Sequence, residues 1–145
     1  MGDTGNRWTR YFMEAAKLAA SMSKDSTKVG AALVGERREV LLTAFNGPPM
    51  GVRDLPDRFE RPRKYLFASH AEANLIAFAA RRGIRTEGCT VYVTHTPCSA
   101  CARALIQAGV VKVVAGTGET KMEEEEFVAA EQMFREAGIT YWRQK

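Results

Sequence analysis

An α/β domain built on a mixed five-stranded sheet is predicted from three observations. The chain has 145 residues, 46% of them hydrophobic and 26% charged, close to average globular usage and long enough to bury roughly two thirds of the unfolded surface in one core. Two β-rich runs near the start are separated by a short charged turn, the pattern of an antiparallel hairpin. After them, helical and β-like segments alternate, the pattern of parallel strands with crossover helices. No internal repeat, low-complexity tract or Ser/Gly linker divides the sequence, so a single domain over residues 1–145 is expected.

The elements follow in order. From Trp8 to Met22, Phe12, Ala15, Ala16, Ala19 and Met22 recur at helical spacing and predict an amphipathic helix. Lys28 to Val34 and Val40 to Phe45 predict two strands joined by Gly35-Glu-Arg-Arg-Glu39. Asn46 to Ser69 is rich in Pro, Gly and Arg and reads as a long loop, a length that in a compact domain points to a role at a site. Ala71 to Arg82 reads as a helix stopped by Gly83, and Thr90 to Thr94 as a strand ahead of Pro97. A second helix runs through Ala102–Ala108 to Gly109, followed by a buried strand, Val110 to Ala115. Thr120-Lys-Met-Glu123 has capping-box spacing before a helix ending at Gly138, and Ile139 to Trp142 closes the series. The order is α-β-β-α-β-α-β-α-β, with helices on both faces of the sheet.

Composition narrows the function classes. A net charge of +4 and a pI near 9.1 allow attraction to phosphates but fall short of a nucleic-acid-binding stripe, so no nucleic-acid polymer is expected as partner. No apolar run is long enough to span a membrane, and the start lacks the basic and apolar segments of a secretory signal, so a cytoplasmic location is expected. Three cysteines do not make a disulfide framework, whereas a Cys-x-x-Cys pair outside the secretory route points to metal or redox chemistry.

That pair is Cys98 and Cys101, in Pro97-Cys98-Ser99-Ala100-Cys101. At a helix start the two sulfurs share one face, and the positive end of the helix lowers thiol pKa, favouring the thiolates that bind zinc. Pro97 suits the first turn of that helix, where an N–H would be unpaired. His70-Ala71-Glu72, opening the earlier helix, supplies a nitrogen ligand and a carboxylate. Three protein ligands leave a fourth tetrahedral position for water, the arrangement of a catalytic zinc. Glu72 beside such a water can take its proton and pass it to a ring nitrogen, the chemistry of hydrolytic deamination. Cys89 and His95 are the remaining residues of ligand type, so counting alone does not exclude a closed structural site. Cys89 reads as a buried small hydrophobe and His95 as either a pocket border or a structural histidine. Glu123 to Glu126 read as a solvated face suited to the helix dipole, and Phe127, Met133 and Phe134 as core.

Joined with Pro before the first cysteine, these strings form the H-x-E…P-C-x-x-C signature of zinc deaminases. The chain resembles the cytidine and deoxycytidylate deaminase family from about Tyr11 to Trp142. Four strings point to the deoxycytidylate branch: Ser23-Lys24-Asp25 with Lys28-Val29-Gly30-Ala31, Phe45-Asn46-Gly47-Pro48, His70-Ala71-Glu72-Ala73-Asn74, and Tyr92-Val93-Thr94 leading into the cysteine motif. The resemblance implies a three-layer α/β/α deaminase-like fold and one catalytic Zn2+ per subunit held by His70, Cys98 and Cys101. It implies Glu72 as the proton carrier and dCMP as substrate, giving dUMP and ammonia for thymidylate synthesis. Asn46 would contact the deoxyribose, Ser23 and Lys24 would lie on the phosphate side, and Ala71 and Thr96 would offer backbone groups to the base. Arg53, Arg58, Arg61, Arg63 and Lys64 could also hold a phosphate or an effector, or form a solvated basic loop. It also implies a homo-oligomer, often a hexamer in this branch, with dCTP and dTTP as candidate effectors. Ala44-Phe45 stands where many relatives carry Gly-Tyr, a departure that bears on that regulation. Two alternatives stay open: another zinc deaminase acting on a modified dCMP, cytidine, dCTP or tRNA adenosine, and a zinc-stabilised binding module.

Overall fold

The structure is a computed structural model that describes residues 6–145. Helix α1 spans Arg7–Ala20, with the Asn6 side chain accepting from the Thr9 N–H at 2.8 Å as its N-cap. It stops earlier than the periodicity predicts. The Ser21 hydroxyl turns back to the Leu18 carbonyl, so Met22 falls beyond the helix and is 65% exposed, while Met13 enters the core in its place. Strands β1 (Gly30–Val34) and β2 (Val40–Phe45) form the expected hairpin.

The long segment after β2 is not all loop. It holds a 3-10 turn at Pro56–Phe59 and a single-turn helix α2 at Lys64–Phe67. Helix α3 (Ala71–Arg82) ends on Gly83, whose φ of 70° makes it the left-handed cap that the sequence indicates. Strand β3 (Thr90–His95), helix α4 (Ser99–Gln107), strand β4 (Lys112–Gly118), helix α5 (Glu124–Glu136) and strand β5 (Thr140–Arg143) complete the chain. β4 begins later than predicted because Val110 and Val111 belong to the turn that pairs with Cys89 and Leu105. α5 begins at Glu124 with Glu123 as cap, so Thr120 does not head a capping box.

The sheet order is β2-β1-β3-β4-β5. β1 pairs antiparallel with both β2 and β3, and the β3–β4 and β4–β5 pairs are parallel. Alternate residues sort to opposite faces. Ala31, Leu33, Val91, Val93, Val113 and Ala115 face α3, α4 and α5 around Leu75, Leu105 and Phe134. Ala32, Val34, Tyr92 and Val114 face α1 around Phe12, Met13 and Ala16. The predicted three layers are present, with α1 on one face and α3, α4 and α5 on the other. α1 presses closely onto β1: a Cβ on Gly30 would collide with the Ala16 carbonyl and the Ala20 amide, so only glycine fits there. Among the described residues no helix is long and apolar enough to cross a membrane.

Phe134 is fully buried and packs on Tyr141 with ring centroids 4.9 Å apart. Phe134→Ala is therefore expected to lower the unfolding free energy by about 3–5 kcal/mol. Val128→Ala, on the exposed side of the same helix, should change it by less than about 0.5 kcal/mol. Urea denaturation of both variants checks the contrast.

Candidate active and metal site

The parallel strands β3 and β4 end on the same side of the sheet, and the chain leaving β3 turns through Thr96 and Pro97 into α4. Pro97 precedes the N-cap, Cys98, instead of lying in the first turn as the sequence suggests. Without an N–H it cannot extend the ladder of β3, and its ring disfavours a helical residue ahead of it, so the helix starts only after it. On the neighbouring side, Ser69 and Gly47 exchange backbone hydrogen bonds of 2.8 and 3.0 Å, and Asn74 Nδ2 donates to the Phe45 carbonyl at 2.8 Å. These contacts pin the first turn of α3 to the end of β2. His70, the N-cap of α3, then faces the start of α4.

His70 Nδ1 lies 3.3 Å from Cys101 Sγ and 3.6 Å from Cys98 Sγ. A tetrahedral zinc with ordinary Zn–N and Zn–S bonds has an N···S edge of about 3.6 Å. The three donors fit that ion, with Nδ1 as the ligating nitrogen. All three ligand atoms lie within 4.8 Å of one another, and among the described residues neither Cys89 nor His95 belongs to such a group. Cys89 is buried as a small hydrophobe, as its surroundings in the sequence indicate.

The electrostatics suit a cation. Cys98 is pulled down to about 4 by the hydrogen bond from Cys101 and by His70. The same bond, with burial, pushes the Cys101 thiol up. His70 is raised, chiefly by its hydrogen bond to Cys98. Glu72, in the first turn of α3 and 4% exposed, is pushed up to about 7, chiefly by burial. Glu126 is more than a solvated face: its Oε1 accepts from Ser99 N–H at 3.1 Å and Ser99 Oγ–H at 2.7 Å, capping α4 from α5.

A cavity opens beside these groups, lined by Glu72, His70, Ala71, Asn46, His95 and Thr96. Ala71 is the first residue of α3, where a backbone N–H has no intrahelical acceptor. Asn46 spends much of its amide on the backbone, accepting from Val29 N–H at 3.0 Å and donating to the Thr27 carbonyl at 2.8 Å. One N–H and one lone pair remain.

Ser23 and Lys24 do not line the cavity. The buried Ser23 hydroxyl donates to the Asn46 carbonyl at 3.0 Å and accepts from Asp25 N–H at 3.2 Å, which makes it a brace for the loop. Lys24 points outward and pairs with Asp54 at 3.0 Å. The cations that reach the cavity are Arg61, Lys64 and Lys121. Arg58 and Arg63 instead lie over the Phe67 ring, at 4.1 and 5.1 Å from its centroid, and Arg53 is exposed.

Lys64 stands in the sequence only as one member of a basic run, and its partner is not legible there. Its Nζ donates to Asp25 Oδ1 at 2.8 Å with both side chains buried, and the same oxygen accepts from Thr27 N–H at 2.9 Å. Lys121 escapes sequence reasoning because Thr120 to Glu123 reads as a helix cap.

Fold and donor set together define a three-layer α/β protein with a mononuclear His/Cys/Cys zinc centre at paired helix N-termini. The chain belongs to the cytidine and deoxycytidylate deaminase family, whose zinc-binding region matches residues 6–117. It is 46% identical over 109 residues to a deaminase encoded in the luxG 3′ region of Aliivibrio fischeri, covering 74% of this chain and 71% of that protein. It is 36% identical over 141 residues to the deoxycytidylate deaminase of Mus musculus, covering 92% and 78% respectively. Its fold matches that of the dCMP deaminase of cyanophage S-TIM5 in complex with dCMP and dUMP, with a TM-score of 0.77 at 26% identity over 94% of this chain and 96% of that one.

Cys98→Ala and His70→Ala should each lose bound zinc, whereas Glu72→Gln should keep it, as read by metal analysis after gel filtration. Lys64→Met leaves Asp25 buried without its counter-ion and is expected to cost about 3–5 kcal/mol. Lys24→Met breaks an exposed pair and should cost less than about 1 kcal/mol; thermal unfolding of the two variants tests the difference.

Proposed function

We propose that the protein is a zinc-dependent aminohydrolase that converts dCMP and water into dUMP and ammonia. The observation that carries this reading is a buried carboxylate, Glu72, beside the His70, Cys98 and Cys101 donors in a cavity reached by Arg61, Lys64 and Lys121. Zinc held by the three donors supplies a Lewis acid that makes a water nucleophilic near neutral pH.

Glu72 removes a proton from the attacking water as its oxygen bonds to C4, delivers that proton to N3 of the base, and carries the second proton to the departing amine. A carboxyl near neutrality is suited to this, since it must both take and give a proton. The Ala71 N–H and the Thr96 backbone carbonyl address the base, and the remaining Asn46 N–H and lone pair address the sugar. Arg61 and Lys121 give the mouth the positive charge that a phosphate monoester requires, a role that Lys64, already paired to Asp25, fills less well. His70, Cys98 and Cys101 hold the metal and take no part in the proton transfers.

Purified zinc-loaded protein should deaminate dCMP with a higher kcat/KM than cytidine or dCTP, followed by loss of absorbance of the cytosine ring. Glu72→Gln should retain fold and zinc while kcat falls by at least about a thousandfold. A preference for cytidine or dCTP would reject the monophosphate assignment, and an active Glu72→Gln protein would reject the mechanism.

A further inference from the structure

The end of β3 carries two side chains that constrain each other. Thr94 Oγ1 accepts from Gly30 N–H at 3.1 Å and lies 2.7 Å from His95 Nδ1. A hydroxyl offers one proton and two lone pairs. With one lone pair given to Gly30, the arrangement that satisfies every group sends the Thr94 proton to Nδ1. The imidazole proton then resides on Nε2. The opposite tautomer would leave a buried hydroxyl proton with no acceptor among the described residues, the arrangement that native structures avoid.

The ring is also fixed sterically. A Cβ on Gly118, the last residue of β4, would stand 2.6 Å from three atoms of the His95 ring, so the glycine backbone is pressed against the imidazole. The Thr96 N–H donates to the Gly118 carbonyl at 3.2 Å and ties the two strand ends together. Burial lowers the pKa of His95, which keeps the ring uncharged at neutral pH. With Nδ1 turned to Thr94 and one face against Gly118, the Nε2 edge is the hydrogen-bonding edge left for the cavity that His95 lines.

We propose that His95, held by Thr94 as its Nε2–H tautomer, is a fixed hydrogen-bond donor to the 5′-phosphate of the bound nucleotide. The inference rests on the reading of the protein as a nucleotide deaminase and names a specificity-determining residue of that site. The phosphate is the group addressed because the donors around His95 have other work. Ala71 stands at the metal end of the cavity, Lys64 is neutralised by Asp25, and Ser23 and Lys24 lie elsewhere. Arg61 Nε donates to the Tyr65 hydroxyl at 2.7 Å, so Arg61 brings its charge to the mouth from an exposed side chain and not as a fixed, buried donor. Lys121, on the loop between β4 and α5, lines the same cavity and adds the charge that a neutral imidazole does not supply.

The chain has two histidines, so the imidazole 15N spectrum of the zinc-loaded protein contains two ring systems, and His70 is the one that changes with zinc loading. The His95 system should show a protonated Nε2 and an unprotonated Nδ1. Adding dUMP should shift Nε2, and deoxyuridine at equal occupancy should not. In kinetics, His95→Leu should lower kcat/KM for dCMP at least about tenfold more than for deoxycytidine, mainly through KM, with His95→Gln recovering most of the loss. Thr94→Val should mix the tautomers and weaken dCMP binding by a smaller factor.

A spectrum with the proton on Nδ1, or an equal response to deoxyuridine and dUMP, would overturn the proposal without any variant having to fold. So would equal losses on dCMP and deoxycytidine. Absence of dCMP turnover by the wild-type protein would instead defeat the functional reading, which separates the two failures.

Discussion

The site depends on two helices that begin at residues unable to cap them. His70 and Cys98 hold the N-cap positions of α3 and α4, and neither offers the side-chain oxygen that caps a helix; the Cys98 sulfur has only Cys101 of its own helix as a partner. Ser, Thr, Asp or Asn at such a position would stabilise the helix by about 1 kcal/mol. Here both side chains turn toward each other instead. The loss at α4 is offset from outside, since Glu126 of α5 takes the Ser99 N–H and hydroxyl. The loss at α3 is offset by its attachment to β2 through Asn74 and the Gly47–Ser69 bridge. Metal-ligand geometry therefore sets the capping chemistry of both helices, and the surrounding contacts answer to it.

Another part of the cavity wall is held by a different device. The segment after β2 has little regular structure, yet Lys64 ties it to the loop before β1 through a buried ion pair with Asp25. Asp25 is itself fixed by Ser23 and Thr27, and Asn46 joins Thr27 to Val29. Buried pairs of this kind add little net stability compared with apolar packing, but they tolerate no partial loss. The consequence for the cavity is a wall whose position is specified by hydrogen-bonded charges instead of by a packed core.

The parts legible in the sequence are those governed by local periodicity or by ligand spacing. Helix α3 is read to the residue, because its apolar spacing is bounded by a ligand at one end and Gly83 at the other. Strand β4 is displaced, since a run of valines does not show where a turn gives way to a ladder; Val110 and Val111 are apolar yet precede the strand, and β5 starts one residue late because the Ile139 N–H is taken by the Phe134 carbonyl. The metal donors are evident from two short motifs. What is not evident is anything that needs side chains distant in sequence to meet: Lys64 with Asp25, Glu126 with Ser99, and His95 with Gly118. Lys24 attracts attention as a cation within a family string, whereas its neighbour Asp25 turns inward and Lys24 is left at the surface.

Glu72 shows why the metal and the carboxylate belong to one design. A carboxylate this deeply buried is driven toward its neutral form, and the buried lysine of the cavity, Lys64, is spent on Asp25. A divalent ion held by His70, Cys98 and Cys101 favours the charged form, although two thiolates take up most of its charge and keep that pull moderate. In the proposed reaction burial draws the proton toward Glu72, and a zinc ion held by the three donors would favour its loss, which would leave the carboxyl poised between the two states. A solvent-exposed glutamate in the same role would hold its proton too weakly to deliver it to a ring nitrogen. The depth of the first turn of α3, fixed by the packing of Leu75 and Ala79 into the core, is therefore a property of the chemistry as well as of the fold.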